Sequence, residues 1–218
     1  MTAVFSIPMR TRFRGITVRE GLLLRGAAGW GEWSPFLEYE PAVAAIRALD
    51  RAASGLEYVE QPCATVEELA AVRRAVAVPI AADESIRRAS DPYLVRDLAA
   101  ADIAVLKVQP LGGVRACLRI AEEIGMPVVV SSALETSVGI AAGVALAAAL
   151  PSLPHACGLA TVQLLTADLA ADPLLPVDGA LPVTVPAPDP HALDLLAAGA
   201  DRVAHWEARL DAVRAVRS

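Results

Sequence analysis

The sequence predicts an α/β protein, namely an incomplete β/α barrel of about five units with a small α+β region made from both chain ends. Five short apolar runs end in polar residues spaced by 23, 24, 24 and 24 positions. These residues are Glu60, Asp83, Lys107, Ser131 and His155. Helix-like stretches separate the runs. Short apolar strands that alternate with helices at a fixed period indicate repeated βα units on a parallel sheet.

The first 33 residues follow a different pattern. Residues 4–9 form a plausible strand, and apolar side chains at even spacing from Ile16 to Leu24 suit a half-buried second strand. Gly26 and Gly29 mark a turn, after which Trp30 to Trp33 returns. The beginning of the chain therefore predicts a small antiparallel sheet rather than a βα unit.

The remaining elements divide the chain into three predicted parts. A helix is expected over residues 41–53, and the helices of the periodic region over 66–76, 92–98, 114–124 and 137–150. After Leu159 the period is lost, prolines follow one another up to Pro190, and two further helices are expected over 192–198 and 202–216. We therefore predict one part of a capping domain at 1–40, a partial barrel at 41–160, and a segment returning to the cap at 161–218.

Composition narrows the class of partner. The net charge is −6 and the pI about 5.1, without a basic block, which argues against nucleic acid and anionic membranes. Three dispersed cysteines are typical of a reducing cytosol. No signal peptide is recognisable, and the longest apolar stretch, 138–150, is shorter than the roughly 20 residues of a membrane span. We therefore expect a cytoplasmic protein without a nucleic-acid or membrane partner.

Lys107 is the only lysine, and arginine supplies the other 18 of the 19 basic side chains. A lysine amine can be tuned for proton transfer, whereas an arginine stays charged. Taken singly, Asp83 could cap a helix, Ser131 could open one, and Glu60 could pair with an arginine. Together they follow consecutive strands, and the carboxyl ends of such strands are where β/α barrels build active sites.

These residues lie in motifs that resemble the enolase superfamily, its muconate-lactonising subgroup, and there the o-succinylbenzoate synthases of actinobacterial type. The motifs are Glu60-Gln61-Pro62, Asp83-Glu84-Ser85, Lys107-Val108-Gln109-Pro110, Ser131-Ser132-Ala133-Leu134-Glu135-Thr136 and, near the start, Gly29-Trp30-Gly31-Glu32-Trp33. The ordered set is specific, although Glu60-Gln61-Pro62 alone would be a weak signal.

The resemblance implies a Mg²⁺-dependent lyase. It implies Glu60 and Asp83 as metal ligands, Lys107 as the catalytic residue that stabilises the enolate, and Ser131 and Ser132 as substrate contacts. The implied reaction removes a proton α to a carboxylate and then expels hydroxide, which gives 2-succinylbenzoate for menaquinone synthesis. Mg²⁺ held by carboxylates neutralises the charge that develops. We expect Glu84 to support the site rather than bind the metal, because neighbouring strand residues point to opposite faces.

Part of the family pattern is missing. The family places a Lys-x-Lys pair and an Asp-x-Asn stretch on the strands before Glu60, but the chain has no asparagine and no second lysine. Roughly 100 residues are absent between Tyr39 and Pro41, judged against a barrel of about 250 residues plus a cap. By analogy, the missing stretch would carry the base and the first metal ligand. Three alternative origins would each explain the gap: a genuine deletion, a damaged or misassembled gene, or a sequence from which residues have been left out.

Two other functions stay open at this point. The first is an N-acylamino-acid racemase or dipeptide epimerase on the same scaffold, which the missing Lys-x-Lys disfavours because racemisation needs a lysine on each face. The second is a non-catalytic remnant that forms a homo-oligomer. A barrel without three strands should leave edges unpaired at Glu60 and near His155 and uncover its inner apolar face.

Overall fold

The computed structural model describes residues 2–13, 16–26, 29–33, 40–88 and 90–217, and their side chains from 42 to 88 and from 90 to 215. These residues form two sheets. Strands β1 (Thr2–Phe13), β2 (Ile16–Gly26) and β3 (Gly29–Trp33) form an antiparallel sheet in that order. This sheet confirms the antiparallel arrangement predicted for the beginning of the chain. The predicted junction lies between Tyr39 and Pro41, and on its amino-terminal side residues 34–39 are outside the described residues.

The second sheet is parallel and has the order β4-β5-β6-β7. Its strands are β4 (Val59–Glu60), β5 (Ile80–Ala82), β6 (Ile103–Leu106) and β7 (Val128–Val130). A parallel bridge between Ser131 and Gly158 adds a fifth chain segment beside β7. The structure therefore confirms five consecutive units of an incomplete barrel, as the spacing predicts.

Five helices accompany these strands. They are α1 (Glu40–Ala53), α2 (Val66–Ala75), α3 (Asp91–Asp97), α4 (Val114–Ile124) and α5 (Ser137–Ala149). Helix α2 begins at a capping box in which Thr65 and Glu68 satisfy each other's backbone amides. Helix α4 ends at Gly125, whose φ of 64° is a left-handed conformation that glycine adopts without strain. Local sequence chemistry thus defines where α2 begins and where α4 ends.

The strands alternate between two buried faces. Ile80, Ala104 and Leu106 belong to the main core, which also contains the apolar sides of α2, α4 and α5. The opposite, inner face carries a second cluster, in which all four side chains are at most 3% exposed: Ala81, Ile103, Val105 and Val129. Because successive strand residues point to opposite faces, β5, β6 and β7 each contribute to both clusters.

Burial of the inner face contradicts the expectation that the missing strands leave it uncovered. Tyr58 packs against the inner cluster, and its ring makes an edge contact with the ring of His155 at 5.3 Å between centroids. His155 Nδ1 lies 2.6 Å from Glu57 Oε1. Glu57 and Tyr58, just before β4, thus contact the segment that leads to Gly158 beside β7. These contacts link the two edges of the parallel sheet near the amino ends of its strands.

The carboxyl-terminal part contains a 3-10 helix (Thr161–Leu164), α6 (Pro190–Leu195) and α7 (Ala200–Arg217). Helix α6 begins earlier than predicted, because Asp189 caps it by accepting from the amide of His191 and Pro190 suits the first turn. Helix α7 exposes apolar side chains at heptad-like spacing: Val203, Trp206, Leu210 and Val213. No helix in the described part of the chain is long and apolar enough to cross a membrane.

Candidate active site

The residues predicted for the site share one face of the parallel sheet. Glu60 pairs in register with Ala81, and Ala81 pairs with Ile103, so all three point to the inner face. Asp83 and Lys107 follow two positions after Ala81 and Val105 and therefore continue on that face. By the same alternation, Ser131 points to the inner face, as does Val129 two positions before it. The carboxyl ends of four neighbouring strands thus bring their polar side chains to one rim.

Asp83 and Lys107 form an ion pair within this rim. Lys107 Nζ donates hydrogen bonds to both carboxylate oxygens of Asp83. Asp83 is 5% exposed and Lys107 7%. The only lysine of the chain is therefore the immediate counter-ion of a predicted metal ligand. Each of these buried charges requires the other, since an unpaired buried charge is costly.

Glu60 lies beside this pair and remains more exposed. Partial burial raises the pKa of Glu60, and the Asp83 carboxylate raises this pKa further by charge repulsion and a shared hydrogen bond. Lys107 opposes these effects by favouring the ionised form of Glu60. The carboxyl groups of Glu60 and Asp83 are therefore close enough to affect each other, and the Lys107 ammonium binds one of them directly.

The donor set fits part of a Mg²⁺ site. Carboxylate oxygens are the ligands that Mg²⁺ prefers, and Mg²⁺ commonly binds one or two carboxylates while it keeps several waters. No group of three or more histidine, cysteine or acidic side chains able to hold a metal occurs among the described residues. Glu84 does not complete the site, since its carboxylate binds Arg87 at 3.0 Å. Glu60 and Asp83 can thus supply two of six ligand positions.

Gln61 is a site residue that sequence reasoning missed. Its Oε1 accepts from the backbone amides of Asp83 at 3.0 Å and Ser85 at 3.1 Å. Its Nε2 donates to the carbonyl of Cys63 at 2.9 Å and to Ser85 Oγ at 2.8 Å. Gln61 also has a φ of 40°, a left-handed conformation that is uncommon for a residue with a side chain. The amide thus links the end of β4 to the loop that carries Asp83.

The two predicted serines have different surroundings. The Ser132 hydroxyl lies 2.7 Å from Thr161 Oγ1 and donates to the carbonyl of Gly158 at 3.0 Å. Ser131 is half-buried on the inner face, and within the described part of the chain its hydroxyl makes only contacts of 3.5 Å. A Cβ added at Gly158 would lie 2.9 Å from Ser131 Oγ, so this glycine leaves room for the hydroxyl. Ser131 is therefore better placed than Ser132 to meet a ligand.

The two buried cysteines, Cys63 and Cys117, do not provide an alternative nucleophile. Burial raises the pKa of Cys117 to about 11, and burial together with the nearby Glu68 carboxylate raises that of Cys63 to about 11 as well. Thiols with such pKa values stay protonated at neutral pH, and the thiolate is the reactive form. The polar chemistry of the parallel sheet is therefore concentrated in the carboxylates, the lysine and the serines.

Comparison with known proteins identifies the family to which the chain is similar. The profile of the enolase C-terminal domain-like family matches residues 29–189, and that of the enolase N-terminal domain-like family matches residues 4–52. The o-succinylbenzoate synthase of Thermobifida fusca is 49% identical, with 97% of this chain and 95% of the relative aligned. The o-succinylbenzoate synthase of Mycobacterium ulcerans is 41% identical, with 96% and 92% aligned.

The solved structures similar to this chain are longer. The muconate lactonising enzyme of Pseudomonas fluorescens has a TM-score of 0.66 and 28% identity, over 72% of this chain but only 45% of that enzyme. The alignment with the Thermobifida relative runs over 306 positions, whereas the chain has 218 residues. A large internal part of the relative therefore has no counterpart here, which agrees with the missing strands inferred from the sequence.

Proposed function

Because the chain belongs to the enolase superfamily, and within it to the family of the o-succinylbenzoate synthases, which are lyases, we propose that its site serves the reaction of this family. That reaction dehydrates 2-succinyl-6-hydroxy-2,4-cyclohexadiene-1-carboxylate to 2-succinylbenzoate, an intermediate of menaquinone synthesis. The observation that carries the proposal is the common face of Glu60, Asp83 and Lys107 at the carboxyl ends of three neighbouring strands.

Lys107 is the proposed catalytic residue. Removal of a proton α to a carboxylate places a second negative charge on the substrate, and a fixed ammonium beside that charge lowers the barrier. The side chain is almost buried, so water screens its charge little. Asp83 holds the ammonium at the rim of the inner face, where a substrate would approach.

Glu60 and Asp83 are the proposed ligands of Mg²⁺, the cofactor that members of the enolase superfamily generally use. When bound, the cation supplies charge neutralisation at the substrate carboxylate. Gln61 keeps the backbone of Asp83 in place through its hydrogen bond to the amide of that residue. Ser131 borders the succinyl chain of the substrate, and Ser132 supports it by connecting the loop after β7 to Gly158 and Thr161.

The chain as it stands is proposed to be a slow catalyst. The family analogy puts the base on a Lys-x-Lys pair, and this sequence contains one lysine. Lys107 binds Asp83 and stands on the proposed stabilising side of the substrate, so it is poorly suited to act as the base as well. The described site therefore provides charge stabilisation and substrate binding without an evident group that removes the proton.

The proposal extends to the setting of the protein. A small carboxylate is the proposed ligand, the cytoplasm the proposed location, and residues 1–40 and 161–218 the proposed parts of a cap on the barrel at 41–160. The exposed apolar side chains of α7, among them Trp206 at 55% exposure, favour self-association into a homo-oligomer.

Binding of 2-succinylbenzoate in the presence of Mg²⁺ tests the function separately from the rate. Titration calorimetry should detect the product with the wild type and at least tenfold weaker binding with Lys107→Met. A coupled assay should find far slower turnover than for the Thermobifida fusca synthase. Absence of product binding would favour the non-catalytic remnant, whereas turnover equal to that of the relative would mean that another group acts as the base.

A further inference from the structure

The internal counter-ion of Asp83 restricts how the site can accept a metal. Lys107 Nζ donates to both Oδ1 and Oδ2 of Asp83, so neither carboxylate oxygen is free of the ammonium. Both side chains are at least nine-tenths buried, which leaves little solvent to fill the place of either partner. A cation that binds Asp83 therefore has to take at least one oxygen from Lys107.

We infer that Lys107 and Mg²⁺ compete for Asp83, so that metal binding and release of the lysine ammonium towards the substrate are one coupled event. The inference rests on the proposed function, because it takes Glu60 and Asp83 as the metal ligands. It goes beyond that function by assigning Lys107 a second role as the cation that occupies the site before the metal arrives. The Mg²⁺ affinity of the wild type is correspondingly low.

Charge balance supports the competition. The ammonium neutralises Asp83, so the rim attracts a divalent cation mainly through Glu60. A divalent cation bound at Asp83 would also stand beside the Lys107 ammonium, and like charges at such short separation in a buried setting repel strongly. Movement of Lys107 away from Asp83 relieves this repulsion. The Lys107 side chain has four methylene carbons joined by rotatable bonds, so a change of rotamer can take the ammonium away from Asp83 while β6 stays in place.

The lone lysine makes the coupling measurable. Acetic anhydride modifies amines, and Lys107 is the only side-chain amine of the chain. Peptide mass analysis separates its acetylation from that of the amino terminus. A buried ammonium held by two hydrogen bonds reacts slowly, and its release should accelerate the reaction. The wild-type chain should therefore show at least threefold faster acetylation of Lys107 at saturating Mg²⁺ than without Mg²⁺.

Two variants test the same inference by affinity. Lys107→Met removes the competitor, and Lys107→Gln keeps hydrogen-bonding capacity without the charge. Calorimetry with Mg²⁺ alone should find at least tenfold tighter binding to both variants than to the wild type. If Lys107→Met does not fold without Mg²⁺ because Asp83 is left unpaired, Mg²⁺-dependent recovery of its thermal transition is the expected result.

The outcomes separate this inference from the proposed metal site. Equal, measurable affinity in the wild type and both variants would overturn the competition and leave the metal site standing. Binding to the variants alone would support the competition and overturn Mg²⁺ binding by the wild type. Binding to none of the three proteins would overturn both, and Mg²⁺-independent acetylation in a wild type that binds Mg²⁺ would overturn the competition.

Discussion

Replacement of Gln61 by leucine tests whether one amide holds the end of β4 against the loop of Asp83. The side chain makes four hydrogen bonds: to the amides of Asp83 and Ser85, to the carbonyl of Cys63, and to Ser85 Oγ. Leucine has a similar size but can make none of them. Two backbone donors and one backbone acceptor would then lack their partner in the folded protein.

The cost follows from these groups. An unsatisfied buried polar group costs about 1–3 kcal/mol, and Gln61 is half-buried, so water can replace part of the loss. We therefore expect Gln61→Leu to reduce the free energy of unfolding by about 2–4 kcal/mol. That is a large share of the roughly 5–15 kcal/mol that stabilises a typical domain. At about 2–4 °C for each kcal/mol, the loss should be plain in the melting temperature.

Urea denaturation followed by circular dichroism measures the difference. Gln163→Leu is the matched control, because Gln163 is an exposed glutamine of the 3-10 helix. We expect the control to change stability by less than about 0.5 kcal/mol, as is usual at surface positions. Equal stability of the two variants would refute the reasoning, because it would mean that the four hydrogen bonds contribute nothing net.

Two further predictions concern pH. Although burial opposes ionisation of Asp102, hydrogen bonds from Arg73 and from the amide of Ile80 lower its pKa. Asp102→Asn should therefore lower the free energy of unfolding by about 1–2 kcal/mol at pH 6, a modest loss because the side chains of Arg73 and Asp102 are both one-third exposed. The difference from the wild type should shrink as the pH falls below 3.8. A difference in thermal melts that stays constant with pH would contradict this prediction. The raised pKa of Glu60 makes stability depend on pH in the opposite direction. Protonated Glu60 stabilises the folded protein below pH 4.5, and this contribution is lost as the pH rises through the raised pKa. Glu60→Gln should consequently become more stable relative to the wild type as the pH rises from 4.5 to 7. Thermal melts that show no such gain would contradict the close approach of the Glu60 and Asp83 carboxyl groups.

Periodic features of the chain could be predicted well from the sequence. Apolar runs ending in Glu60, Asp83, Lys107 and Ser131 correspond to β4–β7, because a parallel strand buried on both faces is a continuous apolar run. Helix α4 has the predicted bounds, and α5 ends one residue early. The side-chain period of two also puts the four polar residues on a single face.

Contacts between distant parts of the chain could not be predicted in this way. Glu57 and His155 are 98 positions apart, and no local pattern indicates that they meet or that Tyr58 helps to cover the inner face. Gln61 belongs to the Glu60-Gln61-Pro62 motif, but its four hydrogen bonds depend on a left-handed backbone conformation that the sequence does not reveal. The alternation of side chains along the strands predicts that Lys107 lies near Asp83. The two hydrogen bonds between them depend on side-chain rotamers, which the sequence does not specify.

Mg²⁺ titration of wild type, Glu60→Gln and Glu67→Gln by calorimetry tests the central claim most directly. Glu67 is an exposed glutamate in the first turn of α2, so its variant makes the same change of charge away from the site. The proposed site predicts weak but measurable binding to the wild type and to Glu67→Gln, and lost or at least tenfold weaker binding to Glu60→Gln. Equal affinity in all three proteins would contradict the assignment of Glu60 as a metal ligand, and with it the two-carboxylate site.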